Sequence, residues 1–224
     1  PRRQPLRHSK RLMKKILHSI VTNLSDVITG YLPPAIAAAA VLAAALFAIC
    51  AIRAYKKGVN SKDALKRSAP AVFSASALLF YITILYYATV LNRLSMPEYD
   101  PFSNPYGGWL IEDMTFYYDF SALLNIFMFI PLCLFLIWFL KYALKKKYTI
   151  KTLLILCGSV GFLLSAGIEI SQIFLKAGTF QFADLFYNTL GAVIGVPVCL
   201  VLIKIAQKAR RAVKKRQTGL NHIK

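Results

Sequence analysis

Long apolar runs separated by clusters of basic residues constrain this chain more than any other feature. Residues 34–52, 70–91, 121–140, 149–175 and 182–205 each hold an almost unbroken apolar stretch. A helix needs roughly 20 such residues to cross a hydrocarbon core. Lipid offers no hydrogen-bond partner to backbone N–H and C=O groups, so each stretch must satisfy its own backbone and is expected to be helical. The fold class that follows is all-α: a polytopic transmembrane helical bundle. Composition agrees, with 57% hydrophobic and only 17% charged residues, against about 25% charged in a soluble domain.

The formal charge of +19 would by itself suggest a nucleic-acid partner. Here the cations are split among short segments flanking apolar stretches, so no folded basic surface is expected and nucleic acid is excluded. The same cations set topology, because Lys and Arg accumulate in cytoplasmic loops. Clusters fall at Arg53 to Arg67, at Lys141 to Lys151 and from Lys204 onward, whereas 92–120 carries Glu98, Asp100, Glu112, Asp113 and Asp119 against Arg93 alone. Reading back from the C-terminus, the tail lies inside, the 176–181 turn outside, the Lys145 loop inside, the acidic stretch outside and the Lys56 loop inside. A bacterial plasma-membrane protein with a cytoplasmic C-terminus is the expectation.

The first third leaves two solutions. Seven basic residues between Arg2 and Lys15 would lie outside if 34–52 were the first crossing. Either 16–32 also crosses, with Pro33-Pro34 as a tight outer turn, giving six spans at the cost of burying His18, Asn23 and Asp26. Or 12–32 lies in the interface plane, its apolar residues recurring at helical spacing opposite Ser19, Asn23 and Asp26, giving five spans. The organisation expected is a basic cytoplasmic tail at 1–15, an N-terminal hairpin or interfacial helix plus span at 16–54, the main membrane domain at 70–207 and a second basic tail at 208–224. The chain opens at Pro1 rather than Met, which leaves room for residues upstream, and its first apolar stretch lacks a convincing leader-cleavage site.

Cys50, Cys133, Cys157 and Cys199 all sit in apolar runs without metal-ligand spacing, and the three histidines are confined to the ends of the chain. Small packing residues are therefore expected, with no metal and no cofactor. Polar residues inside the runs are costly and so informative. Asn125 lies near the outer end of the third run. Glu169 and Gln172, three apart, share one helical face, which Ser165 continues toward the cytoplasm. Asp184 opens the last run, and Asn188 lies one turn deeper. At about 1.5 Å rise per residue, Glu169 is roughly 9 Å below the outer end of its span and Asn188 about 6 Å below Asp184. A six-residue turn makes the last two spans antiparallel neighbours. Three spans thus bring polar groups to one outer depth, where a pocket is expected. The alternatives are that Asn125 only pairs helices and that Asp184 is an N-cap for a helix starting at Leu185. Gly191 and Gly195 form a small-xxx-small face suited to close helix packing.

These residues resemble the VanZ-like family of bacterial membrane proteins. Asn125-Ile-Phe-Met-Phe-Ile-Pro-Leu132 is similar to its N-x-x-x-F-I-P-L-G element and Glu169-Ile-Ser-Gln172 to its E-x-x-Q. The stretch from Asp184 to Gly195 is similar to its D-x-x-x-N-T-x-G-x-x-x-G element. Together they span roughly 78–198. Cys133 stands where the family has glycine, and Gly178-Thr179 where it has Gly-Arg. The resemblance implies a cell-envelope protein associated with teicoplanin resistance. The reading that follows is a non-enzymatic protein, with no catalytic residues, whose candidate pocket of Asn125, Glu169, Gln172, Asp184 and Asn188 faces outward. Its expected partners are membrane lipids and a lipid-linked cell-wall intermediate or a lipoglycopeptide. The alternatives are a membrane enzyme using Glu169 and Asp184 as an acid–base pair, or a small transporter.

Overall fold

The computed structural model describes residues 25, 27–95, 100–109, 111–112, 115–116, 120–145 and 148–221. Among them are five helices long and apolar enough to cross a membrane: Thr29–Lys56, Ser61–Leu94, Ala122–Ala143, Ile150–Leu175 and Phe182–Val213. The chain is an all-α, multi-pass membrane protein that divides into two compact units, 1–95 and 96–224.

The first unit contains α1 (Leu32–Lys56) and α2 (Ser61–Thr89), packed as an antiparallel hairpin. A π-helical turn, Val27–Tyr31, runs directly into α1. Pro33 and Pro34 therefore occupy the first turn of a helix, where a missing N–H costs no hydrogen bond. The rest of 16–32, on which the choice between a crossing and an interfacial helix turns, lies outside the described residues apart from Ser25. The reversal after α1 uses Gly58 at φ +63°, a backbone region that only glycine enters freely. Asn60 then caps α2 by accepting the Lys62 N–H at 2.9 Å. That cap starts α2 nine residues before Pro70, so Lys62, Lys66 and Arg67 lie on the helix rather than in a loop. Phe47 meets Phe73 edge-on at 6.1 Å partway along the hairpin, and Tyr31 meets Tyr87 at 6.4 Å at its open end.

The second unit is built from α3 (Phe120–Ala143), α4 (Ile150–Leu175) and α5 (Phe182–Asn221). Before α3 lie the 100–109 loop and a two-residue antiparallel ladder, Ile111–Glu112 with Thr115–Phe116. The central helix is α5, which packs extensively against both α3 and α4, while those two touch little. Small residues make this possible. A Cβ at Gly191 would collide with the Ile126 carbonyl oxygen, and one at Gly195 would lie 2.8 Å from the Ile130 carbonyl oxygen. On the opposite flank, Gly161 of α4 sits against Ala192 and Gly158 against Val193. Lipid tails are as apolar as leucine, so such close van der Waals contact is what holds membrane helices together. Farther along the seam three cysteines meet: the Cys133 and Cys157 sulfurs are 2.9 Å apart, with Cys199 against the Cys133 thiol. The pairings make α3 and α5 parallel, with α4 antiparallel to both. One end of this unit therefore gathers Asn125, Glu169 and Asp184, and the other gathers Lys141, Lys151 and Lys204.

Candidate functional site at the polar end of the three-helix unit

The site begins with one face of α4. Ser165, Ile168, Glu169 and Gln172 recur at helical spacing and are all buried, Glu169 at 1% exposure and Gln172 at 2%. A carboxyl group so enclosed must find hydrogen bonds. The chain reverses at Lys176, whose left-handed backbone (φ +48°) lets the Ala177 N–H reach back to the Gln172 carbonyl at 3.0 Å. Five residues later the Gln181 N–H donates to Glu169 Oε2 at 3.1 Å. The Gln181 carbonyl accepts the Leu185 N–H at 3.5 Å, so Gln181 stands at the start of α5. Helix starts leave backbone N–H groups without intrahelical partners and carry partial positive charge. Glu169 thus caps α5 from a neighbouring helix.

Two further polar pairs cross the helix seams. Asn125 Nδ2 donates to Asp184 Oδ1 at 2.6 Å, tying α3 to α5. Asn188 Nδ2 donates to Ser165 Oγ at 2.9 Å, tying α4 to α5. Other hydroxyls in these spans are satisfied within their own helices, Ser171 by Gly167 and Thr189 by Leu185. Asp184 lies in the first turn of α5, two residues past its start. That is too deep for the N-cap role, though its charge still suits the helix dipole. Asn188 is 4% exposed, and its Oδ1 has no hydrogen-bond partner among the described residues.

The 100–109 loop lies against this end. Pro101 and Pro105 carbonyls accept the Phe180 and Phe182 N–H groups at 2.8 and 3.1 Å. Tyr106 stacks on Phe182 at 5.7 Å, and Trp109 meets Phe186 and Tyr187 at 5.7 and 5.9 Å. Gly108 (φ +83°) leaves room for the Gln181 side chain, whose Oε1 a Cβ would approach to 2.7 Å. Gln181 therefore works through its backbone toward Glu169 and presents its amide to the loop. Nothing in its residue type signals this, because a backbone donor exists at every non-proline position.

Of the residues singled out from sequence, Asn125 and Asp184 form one half-buried pair, and Glu169, Gln172 and Asn188 are buried beside it on α4 and α5. Gly191 and Gly195 lie on the α3 seam below them. Among the described residues no three His, Cys, Asp or Glu side chains are grouped to hold a metal ion. A model of the VanZ/LLP1 family matches residues 39–204. The match takes in most of α1, which the motif resemblance alone leaves outside. No curated protein and no solved structure matches the chain.

Proposed function

The chain belongs to the VanZ/LLP1 family, and from that premise we propose that its polar end is a non-catalytic binding site for an amphiphilic ligand of the bacterial envelope. The observation that carries the reading is Asn188, whose buried Oδ1 lacks a partner among the described residues. Leaving such an atom unsatisfied costs about 1–3 kcal/mol, so a bound donor at that point is favoured. The neighbouring carboxylates of Glu169 and Asp184 set the chemistry. They favour ligand hydroxyl, amide or ammonium donors and disfavour a phosphate. A lipoglycopeptide such as teicoplanin and the donor-bearing part of a lipid headgroup present such donors on an apolar anchor, and a lipid-linked cell-wall intermediate would engage through its sugar and peptide donors with its phosphate held away from the carboxylates.

An acid–base role for Glu169 and Asp184 is the weaker reading. The Glu169 carboxyl already accepts the Gln181 N–H and that of Asp184 accepts the Asn125 amide, so each is held by a structural partner. A general base needs reach to a substrate proton. The excess of Lys and Arg at the opposite end of the unit supports an outward-facing polar end and a cytoplasmic C-terminus in the plasma membrane.

The test is teicoplanin and vancomycin susceptibility in a sensitive Gram-positive host expressing the chain, beside Asn188→Ala and Asp184→Asn variants at equal membrane levels. Teicoplanin tolerance that the wild type confers and both variants lose is the expected result. Tolerance no different from the empty vector would overturn the resistance role, and tolerance kept by both variants would overturn the site.

A further inference from the structure

At the basic end of the same three-helix unit, a groove of about 220 Å³ runs between α3 and α5. Its α3 wall is Leu134, Ile137, Trp138, Lys141 and Tyr142, and its α5 wall is Ile203, Ala206, Gln207 and Arg210. Both sets recur at three- and four-residue spacing, so each is one stripe of one helix. The stripes grade in polarity along the unit. Leu134, Ile137 and Ile203 floor the part nearer mid-span, Trp138 stands between, and Lys141 and Arg210 close the basic end. The α3 wall extends about 12 Å along the helix axis. Lys141 Nζ lies 5.1 Å above the Tyr142 ring, so an aromatic face borders the cation as well. Trp138 remains 40% exposed within the groove.

We infer that this groove is a binding site for one anionic phospholipid, with its phosphodiester between Lys141 and Arg210 and one acyl chain along the Leu134–Ile137–Ile203 floor. Three features select that occupant. Among the described residues, the only charged groups lining the groove are the two cations, which matches a headgroup of net negative charge rather than a zwitterion. Guanidinium and ammonium supply fork and point donors suited to phosphate oxygens. The volume falls short of the roughly 300–1,000 Å³ that encloses a whole small molecule. It fits a headgroup and the first part of a chain whose remainder stays in the bilayer. Basic clefts between spans are suited to such lipids, whereas the carboxylate-bearing polar end is not. The inference stands independently of the ligand proposed for that end.

The chain has two tryptophans, and this makes the site measurable. With Trp109→Phe, which keeps an aromatic ring beside Phe186 and Tyr187, Trp138 is the sole reporter. This variant is reconstituted in phosphatidylcholine vesicles containing either dibromo-acyl phosphatidylglycerol or dibromo-acyl phosphatidylcholine at equal mole fraction, and Trp138 quenching gives the relative binding constant. Each cation near the surface favours an anionic lipid by about fivefold, so a preference of tenfold or more for phosphatidylglycerol is expected. Lys141→Gln with Arg210→Gln should bring that ratio near unity. Lys204→Gln with Lys208→Gln removes the same charge from α5 outside the groove and should leave the ratio within about twofold of the starting value. Equal quenching by the two lipids would overturn the proposal. So would a preference that survives the groove pair or falls equally with the control pair, because either would mean diffuse surface attraction. Should Trp109→Phe fail to fold, native mass spectrometry of the unsubstituted chain with the same two lipids decides. One retained phosphatidylglycerol per chain, lost in the groove pair, supports the site, and no selective retention overturns it.

Discussion

Gly195→Ala places a methyl group where α5 meets α3, and the structure fixes its cost closely enough to test. The new Cβ would stand 2.7 Å from Cys133 Cβ and 2.8 Å from the Ile130 carbonyl oxygen. Backbone cannot rotate away, so α3 must recede by about 0.7 Å for the 2.7 Å contact to reach the 3.4 Å of ordinary van der Waals contact. A gap of 0.5–1 Å forfeits roughly a quarter to a half of the dispersion well for the atoms left behind. The same displacement weakens packing at Gly191, one turn away on the same seam. Overpacking of this kind costs about 1–3 kcal/mol, and the backbone contact puts Gly195 in the upper half of that range. Removing a helical glycine returns up to about 1 kcal/mol, leaving a net destabilisation of about 1–2 kcal/mol. Gly167→Ala is the internal control. It makes the same chemical change in α4, where nothing lies within 4 Å of the Cβ position, so only the propensity gain remains. Unfolding in mixed micelles, read by tryptophan fluorescence, should separate the two variants by about 2–3 kcal/mol. Gly195→Ala as stable as Gly167→Ala would refute the argument that backbone-level contact holds α3 against α5.

Three further outcomes follow from the polar end and the cysteine cluster. In a double-mutant cycle on Asn125→Ala and Asp184→Ala, a coupling of about 1 kcal/mol is expected. That lies above the ~0.6 kcal/mol average for polar pairs in membranes because the bond is short and charge-assisted, and a coupling of zero would contradict a clasp between α3 and α5. Glu169→Gln keeps an oxygen for the Gln181 N–H whereas Glu169→Ala strands it, so the alanine variant should unfold more easily by about 1–3 kcal/mol, and the reverse order would remove Glu169 as the cap of α5. With Cys50→Ser, maleimide should label none of Cys133, Cys157 and Cys199 in folded protein and all three on unfolding, counted by mass spectrometry, since each is at most 1% exposed. Prompt labelling of any one would show the cluster to be open.

Much of this fold was legible because the bilayer permits so few solutions. Five apolar runs became five helices, and the basic residues Lys141, Lys151 and Lys204 gather at one end of the three-helix unit. Helix limits were less legible where proline and charge mislead. Pro70 reads as a start, yet Asn60 supplies the side-chain cap that begins α2 earlier. The basic stretch after Ile205 reads as a tail, yet α5 continues to Asn221, since lysine and arginine are good helix formers once outside lipid. At the site, the cost of burial picked out Asn125, Glu169, Gln172, Asp184 and Asn188 as unusual. Their partners were not readable. That Asn125 meets Asp184 and Asn188 meets Ser165 depends on the relative register of separate helices, which the small residues of α5 fix only in three dimensions. The Gln181 backbone donor carries no residue-level signal at all.

Asn188→Leu tests the central claim most directly. Leucine keeps the branched outline of asparagine without the amide, so it removes the buried acceptor, and with it the hydrogen bond to Ser165 that ties α5 to α4. Binding of fluorescent teicoplanin to purified protein in nanodiscs would be titrated beside the thermal unfolding of both proteins. Saturable binding by the wild type, lost in Asn188→Leu at a temperature where both proteins remain folded, is the result this account expects. Binding undiminished by the substitution, or no saturable binding by the wild type, would contradict it.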